Sequence, residues 1–447
     1  MGSKLKNKRK ILLITTNVKS FPEPDILLED DYSFYYLEIK DLYRMSKEQL
    51  INKIINYINK YDIIILPGNL IWDFSEFNGK IVKGTIFQNY LFDLIKYVKP
   101  EELSPKVSAD KIYGKIFRLI VEDKIKNITE KPLLKIKNLE IYKSYPRVFA
   151  EIFLYNEEKI DNVINIAKKY IEDGADSIIL GIMPSISYDY LKNIISSLNK
   201  ITSVPIGLDG NIEILKNFKD EVDILMSFSI KSLYENIDWL YDKVSVLLIN
   251  ETNEEIKNNI RELKNRELKI ILDPIAYPPL IPGFLDSLIR AKAISDLGYP
   301  IMMGVNNVSE LIDADTTGVN ALSTFLSIEA GASIILTGEA SVKNRGSVFE
   351  VKKAIEMAKE SITLKKPPKD GSINLLALKE KDWLNNKIKI YGDRDLINII
   401  FDEKTIQISC IDDCPISKLN SLEKKDLMKL SILIFRFCSP WSMEWDC

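Results

Sequence analysis

The chain of 447 residues contains no histidine. That absence removes Ser-His-Asp and Cys-His catalysis, His-ligated zinc and imidazole acid–base chemistry. Proton transfer is left to carboxylates, Lys, Tyr, Cys or water. Cysteine is scarce: Cys410, Cys414, Cys438 and Cys447 are all there is. Their C-x3-C and C-x8-C spacings match no common zinc framework, so structural thiols or a terminal disulfide are expected rather than a metal site. No apolar run approaches the roughly 18 residues a membrane helix needs. The apolar stretch 11–16, behind a basic start, is too short for a secretory leader and reads as a first strand. Charge of one sign is not in excess either: 61 Lys and Arg stand against 64 Asp and Glu. That balance gives no reason to expect nucleic acid or an anionic membrane as partner, and the chain reads as cytoplasmic.

What is present is an ordinary globular composition, 46% apolar and 28% charged, long enough for several domains. Residues 1–144 read as a small α/β domain followed by a connection. It has a strand at 11–16, an amphipathic helix at 46–60, a strand at 62–66, a turn at 79–84 and a charged helix-plus-connection over 101–144. From 145 to 366 one unit recurs: a short apolar run, a loop, then a helical pattern such as 160–172, 188–199 or 253–265. The runs fall at 148–154, 177–180, 205–208, 223–226, 244–249, 269–272, 301–303 and 333–336. Eight such units in about 220 residues predict a (β/α)8 TIM barrel, with an open doubly wound sheet as the alternative. Residues 367–372 form a linker. Residues 373–447 predict a small α+β domain with strands at 373–378, 405–409 and 432–435, and with all four cysteines.

Barrel chemistry collects at the C-terminal ends of the strands. There the runs deliver Tyr155 and Asn156, then Gly181, Asp209, Ser227, Asn250, Asp273, the amides Asn306 and Asn307, and Thr337-Gly338-Glu339 followed by Lys343 and Arg345. Asp209-Gly210 and Asp273-Pro274 are each common turn dipeptides, and each alone reads as structural. Together, at one end of one barrel, they read as a site. A carboxylate accepts two parallel N–H donors at once, so carboxylates facing amides suit a flat heterocycle such as a 2-amino-4-oxopyrimidine. The same acids would alternatively hold a divalent metal, with Glu339 as the only third candidate.

The order of these strand ends resembles the pterin-binding barrel shared by dihydropteroate synthases and methyltetrahydrofolate:corrinoid methyltransferases. Asp173-Gly-Ala-Asp-Ser-Ile-Ile179 resembles the entry to the family's second strand. Val204-Pro-Ile-Gly-Leu-Asp209 and Ile270-Ile-Leu-Asp-Pro274 resemble the strands that carry its two pterin-binding acids. Gly304-Val-Asn-Asn-Val-Ser309 is similar to the Gly-Leu-Ser-Asn-Val-Ser of the methyltransferases. With its outer domains the whole resembles the archaeal proteins called dihydropteroate synthase-related.

The resemblance implies a reduced pterin as substrate or cofactor, held by Asp209, Asp273, Asn307, Asn250 and Ser227. It also implies a homodimer. Two transferase reactions follow from it. In the first, an arylamine displaces diphosphate from a hydroxymethyl-dihydropterin diphosphate, with Lys343 and Arg345 taking the phosphates and Mg2+ accompanying them. In the second, the N5-methyl of a methyl-tetrahydropterin moves to a thiol or to a corrinoid on a partner protein, with Asn307 at N5. The chain departs from the synthases in lacking their His, their strand-seven Lys and their first-strand Thr-Pro-Asp-Ser-Phe. Those departures admit a third reading, a pterin-binding protein without catalysis.

Overall fold

A computed structural model describes residues 8–126, 130–375 and three short strands beyond them. The chain divides into two units, residues 1–130 with 356–374 and residues 131–355 with 375–447.

The first unit is built on four parallel strands, β1 (Arg9–Thr15), β2 (Tyr32–Glu38), β3 (Ile63–Leu66) and β4 (Ile81–Lys83), in the order β2-β1-β3-β4. Parallel strands covered on both faces need unbroken apolar runs, and β1 and β3 supply them. Ile11, Leu13, Ile63 and Ile65 pack on one side against Tyr90, Phe92 and Phe117. Leu12, Ile14, Ile64 and Leu66 pack on the other side against Leu50 and Ile54. The expected helix at 46–60 is Lys47–Ile58. Ser46 caps it and exchanges hydrogen bonds with Gln49 in a capping box. The turn expected at 79–84 is instead strand β4, entered through Gly79 at φ 78°. Its Ile81 and Val82 are buried against β3, which outweighs the punctuation of the two flanking glycines.

The second unit begins with the antiparallel hairpin β5 (Leu134–Ile136) and β6 (Leu139–Ile141). The sequence reading left these residues as connection. Eight parallel strands follow: β7 (Arg147–Leu154), β8 (Ser177–Ile182), β9 (Ile206–Asp209), β10 (Ile224–Phe228), β11 (Val244–Leu248), β12 (Lys269–Asp273), β13 (Met302–Gly304) and β14 (Ile334–Gly338). Their order is β12-β11-β10-β9-β8-β7-β14-β13. A parallel bridge between Leu272 and Ile301 joins the two ends, so the sheet closes into the expected (β/α)8 barrel.

Alternation along the strands sorts two cores. Ile178, Leu180, Ile206, Leu208, Ile270 and Leu272 face outward to the helices. Phe149, Ile179, Ile224, Met226, Val246, Ile271, Met302 and Ile334 fill the interior. Hairpin residues Ile136 and Ile141 belong to that interior cluster. Arg147 Nε, at the start of β7, donates to the Glu140 carbonyl at 2.9 Å, and Lys137 pairs with Asp223, just before β10, at 2.8 Å. The hairpin therefore plugs the N-terminal end of the barrel. Ile141 is fully buried. Ile141→Ala should cost roughly 3 kcal/mol of stability, read by denaturant unfolding. A cost under about 0.5 kcal/mol, the level of a surface change, would mean that the plug is not part of the packed core.

Beyond the barrel, β15 (Lys389–Gly392), β16 (Leu396–Phe401) and β17 (Lys404–Ser409) form an antiparallel sheet. The last of these covers the strand expected at 405–409. The strand expected at 373–378 starts in irregular backbone over 373–375. Its remainder, the strand at 432–435 and all four cysteines lie outside the described residues. Among the described residues no helix is long and apolar enough to cross a membrane.

Candidate functional site

The mouth is shaped by what the inward-facing positions carry at the last turn of each strand. On β7 the inward phase runs Phe149, Glu151, Phe153, so an acid sits inside the barrel wall. Its neighbours in register are Ile179 on β8 and Gly338 on β14. Glycine is needed beside it. A Cβ at Gly181 would lie 2.7 Å from Glu151 Oε1, and one at Gly338 would lie 3.0 Å from the Glu151 carbonyl oxygen. Asp209 ends β9 opposite Gly181, and Asp273 ends β12 beside Leu248.

All three acids are raised by burial, and the charge of Asp209 adds to the rise of the other two. Burial, then the charge of Asp209, pushes Glu151 up to about 7, against a hydrogen bond from Asn306 Nδ2 at 3.3 Å that pulls the other way. Burial also pushes Asp273 up to about 7. The Ile275 backbone N–H, donating to Oδ1 at 2.8 Å, opposes this, Asp209 adds to it, and Arg290 opposes it. Asp209 is raised by burial and lowered by the Ser227 hydroxyl that donates to it. At neutral pH Glu151 and Asp273 thus partly hold their protons. Such groups can both donate and accept.

Both strand-end aspartates are bonded by residues whose backbone lies in the left-handed region, Asp209 by a hydroxyl and Asp273 by an N–H. Ser227, the partner of Asp209, has φ 67°, and Ile275, the N–H donor to Asp273, has φ 54°. A β-branched residue there is strained, and it persists only where surrounding contacts hold it. Arg290, on the helix Phe284–Ile294, supplies those contacts. Its Nε donates to the Pro274 carbonyl and its Nη2 to the Ile275 carbonyl, both at 3.0 Å.

The two amides of 306–307 diverge. Asn307 is exposed and donates through Nδ2 to the Ala276 carbonyl at 3.1 Å, which ties the β13 loop to the β12 loop. Asn306 donates to Glu151, and its Oδ1 is buried with no partner.

No protein-family model matches the chain. An uncharacterized protein of Methanocaldococcus jannaschii is 29% identical over 418 residues, which cover 83% of this chain and 78% of the relative. Solved structures similar to the chain include a dihydropteroate synthase of Coxiella burnetii in complex with pteroic acid. It is 18% identical, with a TM-score of 0.42, over 51% of this chain and 98% of that one. Another is the dihydropteroate synthase of Thermus thermophilus, 14% identical with a TM-score of 0.39, over 50% of this chain and 97% of that one.

Of the residues singled out in the sequence, Asp209, Asp273 and Ser227 meet at the mouth through the interactions given above. Asn307 stands on the adjoining loop. Asn250 is exposed, just past β11. Lys343 Nζ donates to the Glu310 carbonyl at 3.0 Å and the Ile312 carbonyl at 2.5 Å, while Arg345 is exposed. Glu339 turns away from the other acids: it pairs with Lys169 at 3.1 Å on the helix Ile160–Glu172. Among the described residues no three acids or cysteines are grouped so as to hold a metal ion. Sequence reasoning placed Asn306 at the strand end without giving it a role, and it passed over Glu151 and Arg290 as site residues. The signal for Glu151 was present: an acid in phase with Phe149 and Phe153 in an otherwise apolar strand. Arg290 acts on carbonyls, and its letter alone does not announce that.

Proposed function

We propose that the barrel mouth binds a reduced pterin and that the protein acts on it as a transferase of the dihydropteroate-synthase type. The observation that supports this most is the pairing of Asp209 and Asp273. Two strand-end carboxyls stand at one end of one barrel, Asp209 bonded to the Ser227 hydroxyl and Asp273 to the Ile275 N–H, and the other end is closed by the hairpin. The exocyclic amine and adjacent ring N–H of a 2-amino-4-oxopyrimidine are parallel donors, and one carboxylate accepts both in a bidentate fashion.

Condensation of a hydroxymethyl-dihydropterin diphosphate with an arylamine requires positive charge for the departing diphosphate. Lys343 and Arg345, in the turn after β14, are the cations assigned to it. Lys343 has already committed two of its three donors to carbonyls, so one remains for a phosphate oxygen. Any Mg2+ would arrive with the diphosphate, as part of the substrate.

A second reading is transfer of the N5-methyl of a methyl-tetrahydropterin to a thiol or a corrinoid-bearing partner. N5 must gain a proton or a strong hydrogen bond before the methyl leaves. Carboxyls that hold protons near neutrality, in Glu151 and Asp273, favour this reading, and Asn307 borders the same loop.

Calorimetric titration separates them. The ligands are a hydroxymethyl-dihydropterin, its diphosphate and a methyl-tetrahydropterin, with Asp209→Asn and Asp273→Asn as controls. Condensation predicts tightest binding of the diphosphate, weakened about tenfold in Lys343→Met. Preference for the methyl form would move the assignment to methyl transfer. Folded protein that binds none of the three would end the pterin reading.

A further inference from the structure

We propose that Glu151, in its protonated form, donates a hydrogen bond to the lone pair at N5 of the bound pterin, so that binding above neutral pH takes up a proton. The inference rests on the pterin reading and gives the wall opposite the two aspartates a role of its own. Place comes first. β9 and β12, which end in Asp209 and Asp273, have only β10 and β11 between them, and β7 lies on the other side of the barrel between β14 and β8. A pterin whose pyrimidine edge lies between the aspartates therefore turns its second ring toward β7. Glu151 follows Phe149 by two on that strand, so it shares the inward face. It is partly exposed. Beneath it the interior is filled by Phe149, Ile179, Met302 and Ile334 and closed by the hairpin, so the surface it shows opens into the mouth.

The carboxyl is held in that place. Oε2 accepts from Asn306 Nδ2 at 3.3 Å, a bond that passes over β14, and β14 carries Gly338 at that level. Oε1 lies on the β8 side, where a glycine leaves it room: a Cβ at Gly181 would be 2.7 Å away. The polar groups around it are Asp209 from β9, the Asn306 amide from the loop after β13, and Tyr170 from the helix Ile160–Glu172, whose hydroxyl is kept protonated by burial and then by the charge of Glu339. None of the three carries positive charge. Burial and Asp209 both favour the neutral acid, and a ligand that covers the mouth deepens the burial.

The ligand presents the matching lone pair. N5 is an imine nitrogen in a dihydropterin and a tertiary amine in an N5-methyl-tetrahydropterin, and in both it accepts and cannot donate. An ionised Glu151 would set lone pair against lone pair, whereas the protonated acid donates. The pyrimidine edge is the reverse, a pair of donors that want ionised acceptors, so the acids divide by wall into charged and neutral. In the condensation reading the bond holds the ring and no proton moves through it. In the methyl-transfer reading the Glu151 proton passes to the N5 lone pair. The N5–CH3 bond then breaks with its electron pair left on N5, the methyl goes to the lone pair of a thiolate or a reduced corrinoid, and Glu151 is left as a carboxylate.

The test is anaerobic calorimetric titration of an N5-methyl-tetrahydropterin into the full-length chain and the variants Glu151→Gln and Glu151→Ala. Each titration is repeated in buffers of different ionisation enthalpy, which counts the protons exchanged. It is done at pH 8 and pH 9, above the value near 7 at which Asp273 ionises, so that Glu151 dominates the count. The unchanged protein should take up about one proton per ligand at pH 8 and bind about tenfold more weakly at pH 9. Glu151→Gln should take up none and bind equally at both pH values, because its amide donates without titrating. Glu151→Ala should be equally flat and weaker than Glu151→Gln. A merely structural glutamate would change affinity without changing the proton count. Binding by the unchanged protein without proton uptake, or uptake that persists in Glu151→Gln, overturns the proposal and leaves the pterin reading standing. Folded protein that binds no pterin sinks the pterin reading and this proposal with it.

Discussion

Asp273→Asn should weaken binding of a reduced pterin by about a hundredfold or more, and it should also make the protein more stable at pH 8. The two effects have one origin. The asparagine oxygen can still accept from the Ile275 N–H, which the carboxylate does at 2.8 Å, so the turn keeps its anchor. What changes is the face toward the ligand, where an NH2 now meets ligand donors and neither side is satisfied. On the stability side, Asp273 is raised from 3.8 to about 7, with burial as the first cause and the charge of Asp209 adding to it. A carboxyl raised in the folded state binds its proton more tightly there than in the unfolded chain. Stability therefore falls as pH climbs from about 4 to about 7 and stays low above that. The penalty is on the order of 2–4 kcal/mol, shared among coupled acids. Denaturant unfolding from pH 5 to pH 8 reads it directly: a downward slope in the unchanged protein, a flatter one in the variant. Identical slopes would mean that Asp273 ionises as easily folded as unfolded. Tighter packing at the mouth at the expense of this charge would gain stability and lose binding, a trade common at functional sites.

The barrel was legible because its strands are buried on both sides. Ile206-Gly-Leu208 and Ile270-Ile-Leu272 are apolar runs that stop at Asp209 and Asp273, and the stop marks the mouth. Asp209 and Asp273 were found by that rule, as the first acids after a run. Glu151 escaped the same rule. It interrupts β7 three residues before the end, so a search beyond the strand reached exposed Tyr155 and Asn156 instead. The plug escaped for a different reason. β5 and β6 are three residues each, and their two-residue turn places Lys137 at φ 50°, with no glycine to advertise a hairpin. The left-handed conformations of Ser227 and Ile275 were invisible as well. Neither residue type favours that region, and tertiary contacts impose it.

Arg290→Met should lower stability by roughly 2–4 kcal/mol and weaken pterin binding about tenfold, although the guanidinium is committed to main-chain carbonyls rather than to the ligand face. Its fork spans the Pro274 and Ile275 carbonyls at 3.0 Å each, and Nη2 also reaches Ser287 Oγ at 3.1 Å. Ser287 Oγ in turn accepts from Tyr277 N–H at 2.9 Å, and the guanidinium lies 4.7 Å from the Tyr277 ring centre. One cation therefore pins the turn that presents Asp273. A lysine offers a single point of charge and cannot bridge both carbonyls, so Arg290→Lys should recover less than half of the loss. The decisive comparison uses Ile275. At φ 54° an isoleucine pays a steric cost of about 1–2 kcal/mol that glycine does not. Without Arg290 the isoleucine is free to leave the left-handed region and carry its N–H away from Asp273. A glycine at 275 has no reason to leave. The double variant Arg290→Met/Ile275→Gly should therefore bind pterin more tightly than Arg290→Met alone, even though it removes a further side chain. If the double variant binds no better, Arg290 shapes the mouth by some route other than holding this turn, and the strain at Ile275 is incidental to the site.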